Sequence, residues 1–365
     1  MTAQRPLRVG VVGASYASGT HLPVYAELAA AGIVELVAVA TAHRETADAV
    51  AAKFDVRRAH VGFEALCEDP DVDLVDVATR PSRHKDMTLA AIAAGKHVLC
   101  EAPLAPTVDD GLAMARAAAA AGVCGVVDMQ SRFRPGIAEL RRLVLDGYVG
   151  RVDNVAAQAF YPTFTVPAAV ASSRWCADAT DGASSLRVHG LHTADVLRWT
   201  FGELTDVTGT AATRRSDWSG PDGPIPATSA DSAAWTARTA DGAVVSVHSS
   251  WVAPFGAGWR LVVHGSEGVL VAEAAGHTGH FPVGLRGARL GDDGLRPLVA
   301  ADGGPTEPFA LLVRSLAAGD TDDIPTFDDG VAALRVAAAV DSEAFAAGEP
   351  GAQDFAAVPT TTEEP

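Results

Sequence analysis

Short continuous apolar runs alternate with segments of helical periodicity over the first third of the chain. Leu7 to Val12 reads as a strand, a small-residue turn from Gly13 to Gly19 follows, and His21 to Ala31 is amphipathic at helical spacing. The alternation continues with strands at Val34 to Ala40, Val72 to Ala78, His97 to Cys100 and Val123 to Val127. Between them lie helical stretches at Glu45 to Phe54, Met87 to Ala94 closed by Gly95, and Val108 to Ala121 capped by Gly122. Continuous apolar strands separated by helices predict a parallel sheet covered on both faces, a doubly wound Rossmann domain over residues 1–128.

Near Met129 the period changes. After one more helix, Ile137 to Asp146, strands of period two are expected at Val152 to Tyr161, Val207 to Thr213, Ser232 to Thr239, Val244 to Trp251, Trp259 to His264 and Gly268 to Glu273. Asp241-Gly242 and Ser266-Glu267-Gly268 supply hairpin turns. Helices are expected at Leu186 to Trp199, Pro308 to Ala318 and Gly330 to Ala347, a pocket-covering loop at Ser216 to Ala227, and a tail from Gly351 to Pro365. The second unit, residues 129–350, is thus an α/β domain with a large open, mainly antiparallel sheet. One face of that sheet lies on helices and the other is free for self-association as a homodimer or homotetramer.

Composition narrows the partners. Of 365 residues 48% are apolar and 20% charged, as in a soluble globular protein, and a formal charge of −17 argues against nucleic acid. No apolar run reaches the roughly 18–20 residues of a bilayer span, and Met1 to Arg8 lacks a signal-peptide core, so a cytoplasmic protein with a small-molecule substrate is expected. Cys67, Cys100, Cys124 and Cys176 are irregularly spaced, which suggests neither disulfides nor a zinc site, and no metal is expected.

Chemistry concentrates at strand ends. The first turn, Gly13-x-Ser15-x-x-Ser18, is a variant of the glycine fingerprint that lets a pyrophosphate approach backbone N–H groups; a merely tight strand-to-helix turn is the plainer reading. After the second strand the ribose-binding acid of an NAD site is missing, and Thr41-Ala42-His43-Arg44 stands there instead. Thr41, His43 and Arg44 suit a 2′-phosphate, favouring NADP(H) over NAD(H), with a solvated loop as the alternative. His192, with His189 one turn earlier, offers an imidazole for the proton that accompanies hydride movement. Tyr161 is a phenolic acid or a half-buried aromatic, Arg132 orients a carboxylate or carbonyl or forms a salt bridge, and Trp175 walls a substrate pocket or simply packs.

Several stretches carry a resemblance: Ala78-Thr79-Arg80-Pro81-Ser82-Arg83-His84, Gly95-Lys96-His97-Val98-Leu99-Cys100-Glu101-Ala102-Pro103-Leu104, and Gly182 to Asp195. They resemble the A-T-P-N-x-x-H, G-K-H-V-x-x-E-K-P and G-G-G-x-L-x-D-x-G-x-H-x-x-D motifs of the glucose–fructose oxidoreductase, inositol dehydrogenase and rhizopine-catabolism (Gfo/Idh/MocA) family. The resemblance implies that Ser15, Tyr16 and Ala17 meet the pyrophosphate, that Thr79, Pro81 and His84 line the adenosine-to-ribose bridge, and that Glu101 and Ala102 flank the nicotinamide ribose. The family's lysine is Ala102 here and its aspartate is Val188, leaving His192 of the usual trio. Both losses resemble the Gal80-like branch of the family. Two readings stay open: an NADP(H)-dependent oxidoreductase acting on a carbonyl, imine or sugar-like molecule, or a dinucleotide-binding protein, sensor or enzyme, without net hydride transfer.

Overall fold

In a computed structural model of the chain, which describes residues 5–346, two sheets carry nearly all the strands. The first has the order β3-β2-β1-β4-β5-β6 and is parallel throughout. Its strands are β1 (Leu7–Val12), β2 (Val34–Thr41), β3 (Arg58–Val61), β4 (Leu74–Val77), β5 (His97–Cys100) and β6 (Gly125–Val127). The crossovers hold α1 (His21–Ala30), α2 (Arg44–Phe54), α3 (Phe63–Cys67), α4 (Pro81–Ala93) and α5 (Val108–Ala121). Val9, Val11, Val75, Val77, Val98 and Leu99 have no exposed surface, which is why these strands read as unbroken apolar runs. Reversal of strand order at β1/β4 opens a crevice at their carboxyl ends.

The second sheet has the order β16-β15-β14-β13-β7-β12-β11-β8, antiparallel except where β12 runs parallel to β7. It follows α6 (Pro135–Leu145) and comprises β7 (Val152–Phe160), β8 (Thr205–Ala212), β11 (Ser232–Arg238), β12 (Val244–Ser250), β13 (Gly258–Gly265), β14 (Gly268–Ala274), β15 (Gly284–Arg289) and β16 (Arg296–Val299). Buried and exposed positions alternate along β11 and β12, so one face rests on α8 (Leu191–Phe201) and α10 (Phe327–Ala346) while Thr208, Thr236, Ser246 and His248 line the other. The chain then returns to the first sheet: α9 (Glu307–Ala318) buries Phe309, Leu312 and Val313 against Leu22, Tyr25 and Leu28 of α1.

Several elements differ from expectation. The pair β3 and α3 went unread because β3 is four half-exposed or exposed residues with two charged or polar side chains. Pro81 opens α4 six residues before the expected start, a position that proline's fixed φ suits. The region expected as a loop folds into the hairpin β9 (Asp217–Gly220) and β10 (Gly223–Pro226), next to the short α7 (Pro167–Ser172). Residues 185–190 form a π-helical turn before α8, not the first turn of one regular helix. Strands β15 and β16, rich in Gly and Arg, had no apolar pattern to announce them. The expected tail from Gly351 to Pro365 lies outside the described residues.

Candidate active site

The turn after β1 is built for close approach. Gly13 sits at φ +124°, and a Cβ there would lie 2.2 Å from the Ala78 carbonyl oxygen at the end of β4. The following chain closes on itself: the amides of Ser18 and Gly19 donate to Ala14 and Tyr16, and the Thr20 hydroxyl donates to Tyr16 at 2.8 Å. The N–H groups of Ala14, Ser15, Tyr16 and Ala17 take no partner among the described residues. That leaves free donors at the carboxyl edge of the sheet, a cradle that fits a pyrophosphate. The helix itself begins at His21, where the sequence pattern places it, past the whole of the small-residue turn.

His21 is the residue that sequence reasoning missed. Its ring is buried under Phe309, stacked at 4.0 Å, with Tyr16 edge-on at 5.6 Å. Nδ1 lies 2.8 Å from Asp76, at the end of β4, and Nε2 lies 2.8 Å from Glu101 and 3.3 Å from Asp128. Burial disfavours the imidazolium, but the three carboxylates outweigh it and hold His21 well above its ordinary pKa. Nε2 is within ion-pair distance of Glu101 and Asp128 without hydrogen-bond alignment to either. Burial pushes the Glu101 carboxyl up to about 7, with His21 opposing. Among the described residues, His21, Glu101 and Asp128 are the one group spaced for a metal ion.

Opposite this cluster stands a wall of imidazoles. His189 and His192 straddle the junction into α8 and meet through His277, whose ring lies 4.9 Å from the first and 4.5 Å from the second. Tyr161, just past β7, is edge-on to His189 at 5.2 Å, and His280 approaches the Tyr16 hydroxyl at 3.4 Å. Burial depresses His189 and His192 to about 3, with neighbouring imidazoles adding to the effect, so both rings are neutral at pH 7. His192 Nδ1 lies 3.3 Å from the Ser131 hydroxyl, which is 2.7 Å from Thr278. Neither His277 nor His280 belongs to a motif, and no period marked them, because both sit in the turn between β14 and β15.

The packing decides between the two readings of Arg132 and corrects the expected place of His84. Arg132 does not face a ligand: it is buried, paired through Nε and Nη2 with Asp195 at 2.8 and 2.5 Å, and also with Asp329 at 3.0 Å. His84 is wholly buried with both ring nitrogens against backbone carbonyls, Thr79 on one side and Pro103 and Leu104 on the other, so it braces the segments on either side of it. The other residues expected on the cofactor side stand at the strand ends and the turns that follow them. Thr41 folds its hydroxyl onto His43, whose side chain is exposed, and Arg44 donates to the Ala59 carbonyl and Asp48. Thr79 leans on Met87, Pro81 starts α4, and the Ala102 amide donates to the Glu101 carboxylate. Trp175 packs beside Phe164, Trp218 and Trp251, one layer behind His189.

Comparison with known proteins decides the family. Residues 7–129 match the model described as an oxidoreductase family with an NAD-binding Rossmann fold, and residues 137–271 match the family's C-terminal domain. The chain belongs to the Gfo/Idh/MocA oxidoreductase family. The 1,5-anhydro-D-fructose reductase of Ensifer adhaerens is 30% identical over 84% of this chain and 87% of its own. The levoglucosan dehydrogenase of Pseudarthrobacter phenanthrenivorans is 26% identical over 73% of each. A solved oxidoreductase domain protein from Kribbella flavida superposes with a TM-score of 0.81 at 28% identity, covering 93% of this Gfo/Idh/MocA chain and 97% of its own. As a member of that family the protein is an oxidoreductase on a dinucleotide-binding fold. No helix among the described residues is long and apolar enough to cross a membrane.

Proposed function

We propose that this protein is an NADP(H)-dependent dehydrogenase or reductase for a small, neutral, hydroxyl-rich molecule of the sugar type, with His192 as proton carrier. The observation that carries this reading is the imidazole wall facing the crevice: the guanidinium groups behind it, Arg132 and Arg134, are engaged by Asp195 and by backbone carbonyls. A site of neutral N–H and O–H groups suits hydroxyls better than a carboxylate or phosphate. The reductase and dehydrogenase relatives act on molecules of that type by name.

The free amides from Ala14 to Ala17 would hold the pyrophosphate, Thr79 and Pro81 the bridge to the nicotinamide half, and Glu101 beside Ala102 the ribose next to the ring. Thr41, His43 and Arg44 would take a 2′-phosphate, since no carboxylate ends β2; Arg44 must then exchange its Asp48 contact for the phosphate. When bound, the nicotinamide accepts or supplies the hydride. His192 Nε2, which has no protein partner among the described residues, takes the hydroxyl proton in oxidation. Its Nδ1 hands charge toward Ser131 and Thr278, a path that does without the amine absent at Ala102. The exposed face of the eight-stranded sheet, with its small polar residues, is proposed as the surface for a second copy, which sedimentation velocity tests.

Following NADPH absorbance with neutral keto- and anhydrosugars, then with uronic acids and sugar phosphates, tests the function. Turnover of the neutral set that falls at least tenfold in His192→Ala supports it. Tight NADPH binding with no consumption across the panel refutes it and favours the reading without hydride transfer. Preference for anionic substrates refutes the substrate class alone.

A further inference from the structure

The turn between β14 and β15 presents a ring donor that finds no aligned acceptor among the described residues. Arg134 holds this turn by its backbone, donating through Nε to Thr278 and through Nη2 to Gly279, while Nη1 donates to Gly304 of the neighbouring segment. Inside the turn the Gly279 amide donates to His277 Nδ1 at 3.2 Å. A ring nitrogen that accepts from an amide carries no proton, so the neutral ring must carry its hydrogen on Nε2. That Nε2 is buried and has no aligned partner among the described residues, although the His189 main chain lies close enough to act on the ring, and the ring stands between His192 at 4.5 Å, His189 at 4.9 Å and Tyr161 at 5.9 Å. The Tyr161 hydroxyl and His189 Nδ1 are likewise buried without partners among the described residues. Three unanswered polar atoms on touching rings mark a place where a ligand's oxygen belongs.

We propose that His277 is a catalytic residue whose Nε2–H donates to the substrate oxygen that gains negative charge as hydride moves. The role rests on the dehydrogenase reading above. It divides the work between two histidines. In oxidation the C–H electron pair leaves with its hydrogen for the nicotinamide, the O–H proton passes to His192 Nε2, and the C=O bond forms. His277 begins and ends neutral, because giving up its only N–H proton would leave an imidazolate. Burial and the neighbouring imidazoles keep it from taking a second proton. It thus acts as a fixed dipole at the reacting oxygen, the place that Ala102 leaves without an amine.

His277→Gln keeps an N–H donor and cannot carry a proton, whereas His277→Leu keeps only bulk. Expected results are a loss of about 100- to 1,000-fold in kcat/KM for His277→Leu, mostly in kcat, and a loss within about tenfold for His277→Gln. NADPH affinity by fluorescence should stay within about twofold of wild type in both, which also checks folding, and the pH profile of His277→Gln should match wild type. A His277→Leu variant as active as wild type overturns the role. So does equal inactivity of both variants with a flattened pH limb, which would make His277 the proton carrier. An inactive wild type refutes the dehydrogenase reading itself and this role with it, whereas an active wild type beside an active His277→Leu refutes only the role.

Discussion

Replacing Arg132 by leucine separates an architectural residue from a ligand-binding one. The substitution strands Asp195, which has no exposed surface and takes both its hydrogen bonds from Arg132. Asp329 is less affected, since the Thr326 amide and hydroxyl still donate to it and Arg198 lies 3.6 Å away. Breaking one side of a buried ion pair costs about 3–5 kcal/mol. Burial already raises the Asp195 pKa despite Arg132, and losing the guanidinium raises it further. The folded variant then keeps a proton that the unfolded chain releases near pH 4, so its stability falls as pH rises, by about 1.4 kcal/mol per unit, until the folded pKa is passed. The deficit against wild type should therefore be about 1.5 kcal/mol at pH 5 and about 3–5 kcal/mol at pH 8. Urea unfolding followed by tryptophan fluorescence reads it, with Trp199 5.7 Å from the guanidinium. Arg132→Leu with Asp195→Leu should recover most of the loss. A deficit below about 1 kcal/mol at pH 8, or one equal at both pH values, refutes the reasoning. So does a raised KM in a variant that unfolds like wild type.

Three other outcomes are expected. Gly13→Ala should weaken NADPH binding by at least about tenfold, because its Cβ would collide with the Ala78 carbonyl oxygen at a φ that alanine rarely adopts; fluorescence titration measures it. Arg44→Ala should lower the ratio of NADPH to NADH affinity by about five- to twentyfold, and an unchanged ratio removes Arg44 from the phosphate site. His189 and His192, depressed to about 3 in the fold, bind protons mainly when unfolded. Their contribution is therefore lost as pH falls below about 6.5, by about 2 kcal/mol each at pH 5. A His189→Gln, His192→Gln variant should lose correspondingly less stability than wild type between pH 7 and 5 in the same urea assay.

The first sheet was legible because each strand is buried on both faces, so period and burial agree, as Val75 and Val98 illustrate. The inward histidine of α8 was legible for a different reason: a motif fixed its spacing. His21, Asp76 and Asp128 were not, since their meeting depends on the ends of β4 and β6 converging on α1, a long-range fact with no local period. His277 was hidden likewise by a turn whose path is set by a distant arginine. Arg132 stayed open between a ligand contact and a salt bridge because its partners, Asp195 and Asp329, lie 63 and 197 residues along the chain, and a guanidinium's charge alone does not say what neutralises it.

Arg134 fastens the β14–β15 turn through main-chain oxygens at Thr278 and Gly279 and leaves the side chains it displays out of the clasp. The identity of residue 280 is thereby uncoupled from the path of the backbone that carries it, whereas the His277 ring helps to set that path by accepting from the Gly279 amide. A change at position 280, which leaves His277 in place, is therefore expected to alter what faces the Tyr16 hydroxyl while the scaffold beneath stays as it is.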